Sequence, residues 1–271
     1  MSRIAPVFGA LRARGEAALV PYFTAGDPDM RTTRDLVRAA VAEGADAIEL
    51  GIPFSDPMAD GPVLQRSAAR ALAAGTTLPR VLELVAELRR EIAVPLVLFG
   101  YYNPFFRYGV EQLARDTAAA GADGFLCVDL PPEEAGDLRT AARAVALDVI
   151  ALLAPTTPPA RVRTIARAAS GFLYFVSVLG TTGARAELPA ELPDLVRRAR
   201  AVTDLPLGVG FGVSRPEQAA WIAGFADAVI VGSALARLVE EGDPSGAAGR
   251  VATFVAALRA AMRAAVAARA G

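Results

Sequence analysis

The chain has 271 residues, 54% of them hydrophobic and 21% charged, with 28 cations against 29 anions. That apolar share excludes a disordered chain, and a formal net charge of -1 excludes a general basic field for nucleic acid. There is no His and no Lys, so all 28 cations are Arg; imidazole catalysis, His metal ligands and lysine imines are excluded.

The first segment, from Met1 to Leu19, has a short apolar stretch followed at once by Arg12, Arg14 and Glu16. It reads as a leading amphipathic helix rather than a signal peptide. Eight apolar runs then predict strands at Leu19–Thr24, Ala47–Leu50, Pro95–Phe99, Gly124–Val128, Val149–Leu153, Phe172–Ser177, Leu207–Gly210 and Ala228–Val231. Helical patterns rich in Ala, Leu, Glu and Arg lie between them, among them Arg31–Ala42, Leu78–Glu91 and Pro216–Ala223. Asp27-Pro28 and Arg215-Pro216 suit the start of a helix. An Ala-rich helix is expected over Gly246–Ala268. Three segments echo one another, beginning at Glu43, Ala120 and Gly224; each runs from a glycine to an Asp and then into an apolar strand. Near-continuous apolar strands imply parallel pairing, with both faces of the sheet covered.

Alternating strands and helices of this length fit a doubly wound open sheet or a closed barrel. Eight units in one chain favour the barrel. The expected fold is α/β: a single (β/α)8 TIM barrel over residues 1–271. An extra N-terminal helix precedes it, and a short phosphate-binding helix follows strand 8. The lone cysteine, Cys127, leaves no internal disulfide and reads as a small core residue. No apolar segment approaches the length of a membrane span, and the expected location is cytoplasmic.

Barrel active sites lie at the carboxyl ends of the strands. Within Ala47-Ile48-Glu49-Leu50, two-residue alternation sends Ile48 and Leu50 toward the helices and Ala47 and Glu49 into the barrel. A carboxyl buried there is either an acid–base group of raised pKa or part of a buried hydrogen-bond network. The long loop from Gly51 to Pro62 supplies a second carboxylate, Asp60, and Asp56, which in Ser-Asp-Pro fits ordinary turn chemistry. Glycines after strands six, seven and eight (Gly180, Gly183, the run Gly208-Val209-Gly210-Phe211-Gly212, and Gly232-Ser233) read as an anion site. A helix starting at Ser233 would point its positive end at a phosphate. Tyr174 is expected to face inward by alternation with Val176, either orienting Glu49 through its hydroxyl or acting as a core aromatic. Tyr22, Phe99, Tyr101 and Phe211 at strand ends would wall an apolar, flat ligand. Asp129 ends strand four, as a functional group or as a helix start.

The run Ile48-Glu49-Leu50-Gly51-Ile52-Pro53-Phe54-Ser55-Asp56-Pro57-Met58-Ala59-Asp60-Gly61 resembles the signature of the tryptophan synthase alpha chain family. Further blocks match in order: Val20 to Pro28, Tyr101-Tyr102-Asn103-Pro104, Asp129 to Glu134, Gly210-Phe211-Gly212-Val213 and Val231-Gly232-Ser233-Ala234. The resemblance spans the chain. It implies a lyase that cleaves indole-3-glycerol phosphate to indole and glyceraldehyde 3-phosphate in tryptophan biosynthesis. It further implies Glu49 as acid–base group and Asp60 as stabiliser of charge on the ring nitrogen. Tyr174 would position Glu49, Tyr22, Tyr101 and Phe211 would contact the indole, and Gly183, Gly212, Gly232 and Ser233 would cradle the phosphate. The implied partner is a beta chain in an alpha2beta2 assembly, touched through Asp56 and Asn103. No cofactor and no metal are expected in this chain; pyridoxal phosphate would sit on the beta chain, since a chain without lysine cannot hold it as an imine. The loops after strands two and six would close over the site.

Three positions depart from the family pattern: Tyr22 where some relatives carry Phe, Thr181 where Val is usual, and apolar Val178-Leu179 where some members are polar. Two rival readings stand beside this one. The first is another phosphate-sugar barrel lyase or isomerase, although the indole-glycerol phosphate synthase route needs a catalytic lysine and is excluded. The second is a non-catalytic barrel kept as an allosteric subunit, against which the presence of both Glu49 and Asp60 argues.

Overall fold

The structure is a computed structural model that describes residues 2–176, 189–210 and 212–270, with side chains to residue 267. Eight parallel strands close in sequence order, β1 to β8, with β8 pairing back to β1. The first half runs α1 (Ile4–Ala13), β1 (Ala18–Thr24), α2 (Met30–Ala42), β2 (Ile48–Gly51), α3 (Pro62–Ala73), α4 (Leu78–Arg89), β3 (Leu96–Gly100), α5 (Tyr102–Tyr108), α6 (Val110–Ala120) and β4 (Gly124–Cys127). The second half runs α7 (Gly136–Ala144), β5 (Asp148–Leu153), α8 (Pro159–Ala168), β6 (Leu173–Phe175), α9 (Leu192–Arg200), β7 (Leu207–Val209), α10 (Pro216–Ile222), β8 (Ala228–Val231), α11 (Ser233–Glu240) and α12 (Ala247–Ala270). The barrel reading therefore holds over the open sheet. One detail differs. Asp27-Pro28 does not start α2; the helix begins at Met30, capped by the Asp29 carboxylate accepting from the Thr32 N–H.

Alternation along the strands sorts the core into two layers. Ile48, Leu50, Leu96, Leu98 and Phe125 face outward into the layer shared with the helices. Ala18, Val20, Ala47, Val97, Leu126, Ile150, Phe172, Tyr174, Ala228 and Ile230 fill the barrel interior. The extra helix α1 closes the amino end of that interior with Ile4, Phe8 and Leu11, and the Phe8 ring stacks on Phe172 at 5.4 Å. The barrel is thus sealed below and can be functional only at its carboxyl end.

The repeated Asp has a physical role. Asp46, Asp123 and Asp227 each precede an even strand and accept a backbone N–H from the first or second residue of the preceding odd strand: Leu19 at 2.8 Å, Leu96 at 2.9 Å and Leu207 at 2.8 Å. Each returns its own N–H to the carbonyl of that same residue. Ser170, ahead of β6, does the same for Val149 with its hydroxyl at 3.0 Å. The sequence echo therefore has a fourth member hidden by a change of residue. Arginines hold the three carboxylates in place. Arg259 of α12 pairs with Asp46, Arg89 and Arg3 with Asp123, and Arg200 and Arg12 with Asp227. Arg3 and Arg12, at the two ends of α1, tie the barrel's plug to the strands it closes.

Asp123 carries the most: it is fully buried, with two arginines and two backbone N–H groups on one carboxylate. Asp123→Ala would strand the Leu96 N–H and an Arg89 guanidinium, costing roughly 3 kcal/mol. Ser170→Ala loses one neutral bond and should cost about 1 kcal/mol. Urea denaturation of the two variants checks this ordering; equal losses would mean the carboxylate clamps add nothing.

Candidate active site

Glu49 is the most unusual group at the open end of the barrel. It is 0% exposed on β2, between inward-facing neighbours, and neither carboxyl oxygen has a hydrogen-bond partner. The buried-network alternative is thereby set aside. Without water or a donor to stabilise the anion, burial pushes its pKa up from 4.5 to about 8. At neutral pH Glu49 is mainly a carboxylic acid. The expected hydrogen bond from Tyr174 is not formed, because both Glu49 oxygens are unpartnered; Tyr174 stands close by as a neighbouring dipole instead.

Asp60 occupies the loop between β2 and α3 and is only partly buried. Its Oδ2 accepts the Tyr101 hydroxyl at 3.1 Å, while the Tyr101 oxygen accepts the Ala59 N–H at 3.0 Å. Gln65 Nε2 donates to the Asp60 carbonyl at 2.9 Å. One tyrosine therefore pins both the loop backbone and the carboxylate it presents. Burial raises the Asp60 pKa and the Tyr101 hydrogen bond partly offsets this, leaving it at about 6. At pH 7 the two carboxyls stand in different states: Glu49 carries its proton and Asp60 has lost its own.

The aromatic groups converge on this pair. Tyr22 pairs with Glu49 in register, and its ring meets Phe99 edge-on at 5.1 Å. Tyr101 packs against Phe54 at 5.4 Å, a wall residue that strand-end reasoning missed because Phe54 lies inside the loop. Burial first, and the charge of Asp60 and Glu49 after it, hold the Tyr22 and Tyr174 hydroxyls far above the ordinary tyrosine range. Both rings lie over glycines. A Cβ on Gly51 would sit 2.0 Å from the Tyr22 hydroxyl, and one on Gly210 would sit 2.2 Å from that of Tyr174. This takes apart the glycine run of strand seven. Gly208 and Gly210 make room for Ile230 and Tyr174, and Gly212, with φ at +67°, adopts a backbone that other residues rarely take.

Of the expected anion site, Gly232 is the N-cap of α11 and Ser233 its first residue. The first intrahelical bond there runs from the Ala236 N–H to the Gly232 carbonyl, so the amides of Ser233, Ala234 and Leu235 precede the ladder. Amides at the start of a helix are chemically suited to an anion. A Cβ on Gly232 would stand 3.4 Å from the Tyr22 ring, which places this end next to the aromatic wall. Gly183 and Phe211, like Ser177 and Thr181, lie outside the described residues. Asp129 serves a neighbouring helix rather than the following one: its Oδ1 accepts the Tyr102 N–H at 2.7 Å at the start of α5. Burial, with Asp129 alongside, drives the Cys127 thiol well up, which leaves it an inert core group. Asp56 and Asn103 are both exposed, on the β2–α3 loop and on α5. Among the described residues no cluster of three acidic or Cys side chains could hold a metal, and no helix is long and apolar enough to cross a membrane.

Comparison with known proteins agrees on one family. The family model described as "Tryptophan synthase alpha chain" matches residues 8–266. The tryptophan synthase alpha chain of Geotalea uraniireducens is 52% identical over 264 residues, covering 97% of this chain and 99% of that protein. The Chloroflexus aurantiacus protein of that name is 52% identical over 263 residues, covering 95% and 99%. Among solved structures, tryptophan synthase subunit alpha from Legionella pneumophila superposes with a TM-score of 0.90 at 40% identity, covering 97% of this chain and 99% of that one. A Mycobacterium tuberculosis tryptophan synthase chain gives 0.89 at 41% identity, covering 97% and 98%.

Two outcomes follow from the geometry. The activity of the free chain, read as kcat/KM, should rise with pH as Asp60 ionises near 6 and fall as Glu49 loses its proton near 8. Tyr101→Phe removes the bond that lowers the Asp60 pKa, so the acid limb should move up while the basic limb stays. The second outcome concerns stability. The folded pKa of Glu49 lies above its ordinary 4.5, so the native chain holds a proton that the unfolded chain gives up. That stabilising contribution is complete below about 4.5 and is lost as pH rises toward 8. Glu49→Gln keeps the neutral shape, so it should exceed wild type in stability at pH 8 by on the order of 4 kcal/mol and nearly match it at pH 4.5. Denaturant midpoints at the two pH values measure this.

Proposed function

The chain belongs to the tryptophan synthase alpha chain family, and from that premise we propose how its own residues carry out the cleavage. It is a lyase of tryptophan biosynthesis that splits indole-3-glycerol phosphate into indole and glyceraldehyde 3-phosphate. In our reading protonated Glu49 gives its proton to the indole carbon that bears the side chain. The ring nitrogen becomes cationic and the Asp60 carboxylate stabilises it. Glu49, now a carboxylate, takes the proton from the adjacent side-chain hydroxyl. The oxygen becomes an aldehyde, the carbon–carbon bond breaks, and its electron pair returns to the ring. Glu49 ends the cycle protonated, as it began.

The single observation that carries the reading is the contrast between the two carboxyls: one buried without a donor, the other partly exposed and held by a tyrosine. A retro-aldol cleavage without lysine needs the substrate ring as electron sink, and such a sink needs an acid and an anion at once. Tyr22, Tyr101, Tyr174 and Phe211 would contact the indole. Gly183, Gly212, Gly232 and Ser233 would receive the phosphate through backbone amides and the α11 dipole, which suits a chain with no Lys.

The family implies a beta chain as partner. We assign the contact to the face that carries Asp56 and Asn103, where Met58 is 85% and Phe106 67% exposed. We place pyridoxal phosphate on that partner, the assembly as alpha2beta2, and the whole chain, 1–271, as one barrel domain acting in the cytoplasm.

The purified chain should cleave the substrate slowly alone and faster when a beta chain is added. Glu49→Gln should lower the cleavage rate by roughly 10²–10⁴-fold, as for loss of an acid–base group. A rate left intact would remove Glu49 from the mechanism. Gly212→Val should raise KM for the phosphorylated substrate, because a β-branched residue rarely adopts the +67° backbone that shapes this loop. An unchanged KM would take the phosphate away from that loop.

A further inference from the structure

A charged cluster beside the site is not used by the bond-breaking chemistry. Asp27, 3% exposed, lies in the loop between β1 and α2. Arg70 of α3 meets it with two parallel bonds, Nε to Oδ1 and Nη2 to Oδ2, each 2.8 Å. The Ser67 hydroxyl donates to the same carboxylate. The third Arg70 nitrogen, Nη1, turns to Glu240 at 2.8 Å, and Arg66 grips Glu240 with Nε and Nη2 at 2.7 Å each. Residues 66, 67 and 70 lie on adjacent turns of one helix face, so a single side of α3 serves both carboxylates.

The placement of the cluster gives it a meaning. Helix α3 begins at Pro62, two residues beyond Asp60, so its orientation sets where the loop delivers that carboxylate. Helix α11 begins at Ser233 and ends at Glu240, so a grip on Glu240 sets where the amides of its first turn point. Glu240 is a carboxylate at a helix C-terminus, where the backbone dipole opposes it, and the two arginines offset that cost. Paired forks between guanidinium and carboxylate fix angle as well as distance. The Arg70–Asp27 half is buried enough to escape most solvent screening.

We propose that Asp27, Arg70, Arg66 and Glu240 form a spacer that fixes the separation between Asp60 and the amino end of α11, so that the indole and phosphate ends of one molecule are held together. The spacer rests on the assignment of Asp60 to the indole and of α11 to the phosphate. These are positioning residues; none touches substrate. Their signature is a loss of the advantage gained by joining two ligand halves, with each half still bound.

The test compares three probes by calorimetry: indole, glycerol 3-phosphate, and indole-3-propanol phosphate, which joins the two and has no hydroxyl to cleave. They are titrated into wild type, Arg70→Met and the milder Glu240→Gln, which keeps the buried Asp27 pair should Arg70→Met fail to fold. The joined probe should weaken by roughly tenfold or more in the variants while each half stays within about twofold. KM for indole-3-glycerol phosphate should rise in parallel, and Arg70→Lys, which has charge but no fork, should not restore it. Equal weakening of all three probes, or an unchanged joined probe, would overturn the spacer with the site assignment intact. A wild-type chain that fails to bind glycerol 3-phosphate at all would overturn the site assignment itself.

Discussion

A carboxyl group sits inside the barrel of this protein with no donor facing it, and the rest of the site is arranged around that condition. Burying Glu49 as an anion would be costly, so the group keeps its proton to about pH 8. The fold maintains the dryness that makes this so. Helix α1 plugs the amino end, apolar side chains fill the layer beneath, and the rings of Tyr22 and Tyr174 lean across the carboxyl end over Gly51 and Gly210. The arginine-braced clamps at Asp46, Asp123 and Asp227 lock strand to strand around it. A stable scaffold is what tolerates a destabilising group at its centre.

Asp60 is the counterpart of Glu49, and the difference between them is a matter of position alone. One lies on a strand, where backbone geometry aims it inward and denies it partners. The other lies on a loop, where Tyr101 can reach it. Two chemically similar acids thereby acquire different protonation states at one pH, which is what cleavage through a ring cation requires. With no Lys and no His in the chain, the division of work goes no further than carboxyls, hydroxyls, arginine and amides. Arginine acts in the scaffold; in the proposed mechanism amides receive the phosphate and the carboxyls do the acid–base work.

Much of this was legible in the residues, for identifiable reasons. Apolar runs of four to six residues in a parallel barrel are buried on both faces, so the strands and their order showed directly, and two-residue alternation placed Glu49 inside. The Asp repeat was visible three times because the residue type was kept; its fourth instance, Ser170, performs the same hydrogen bond with a different side chain and so was hidden. Pro62 reads as the last residue of the long loop after strand two, whereas the structure makes it the first residue of α3, a position proline suits. The bond from Tyr101 to Asp60 spans 41 residues and left no local trace. The glycine run of strand seven mixed two needs, space for a neighbour and an unusual backbone angle, that composition cannot separate.

The central claim is that the two carboxyls hold different protonation states at neutral pH in the free protein. Carbon-13 NMR of the side-chain carboxyls, followed from pH 4 to 9 and assigned with Glu49→Gln and Asp60→Asn, reads this without any substrate. The account predicts that Glu49 titrates near 8 and Asp60 near 6. Two carboxyls that both ionise in the ordinary range near 4 would contradict it.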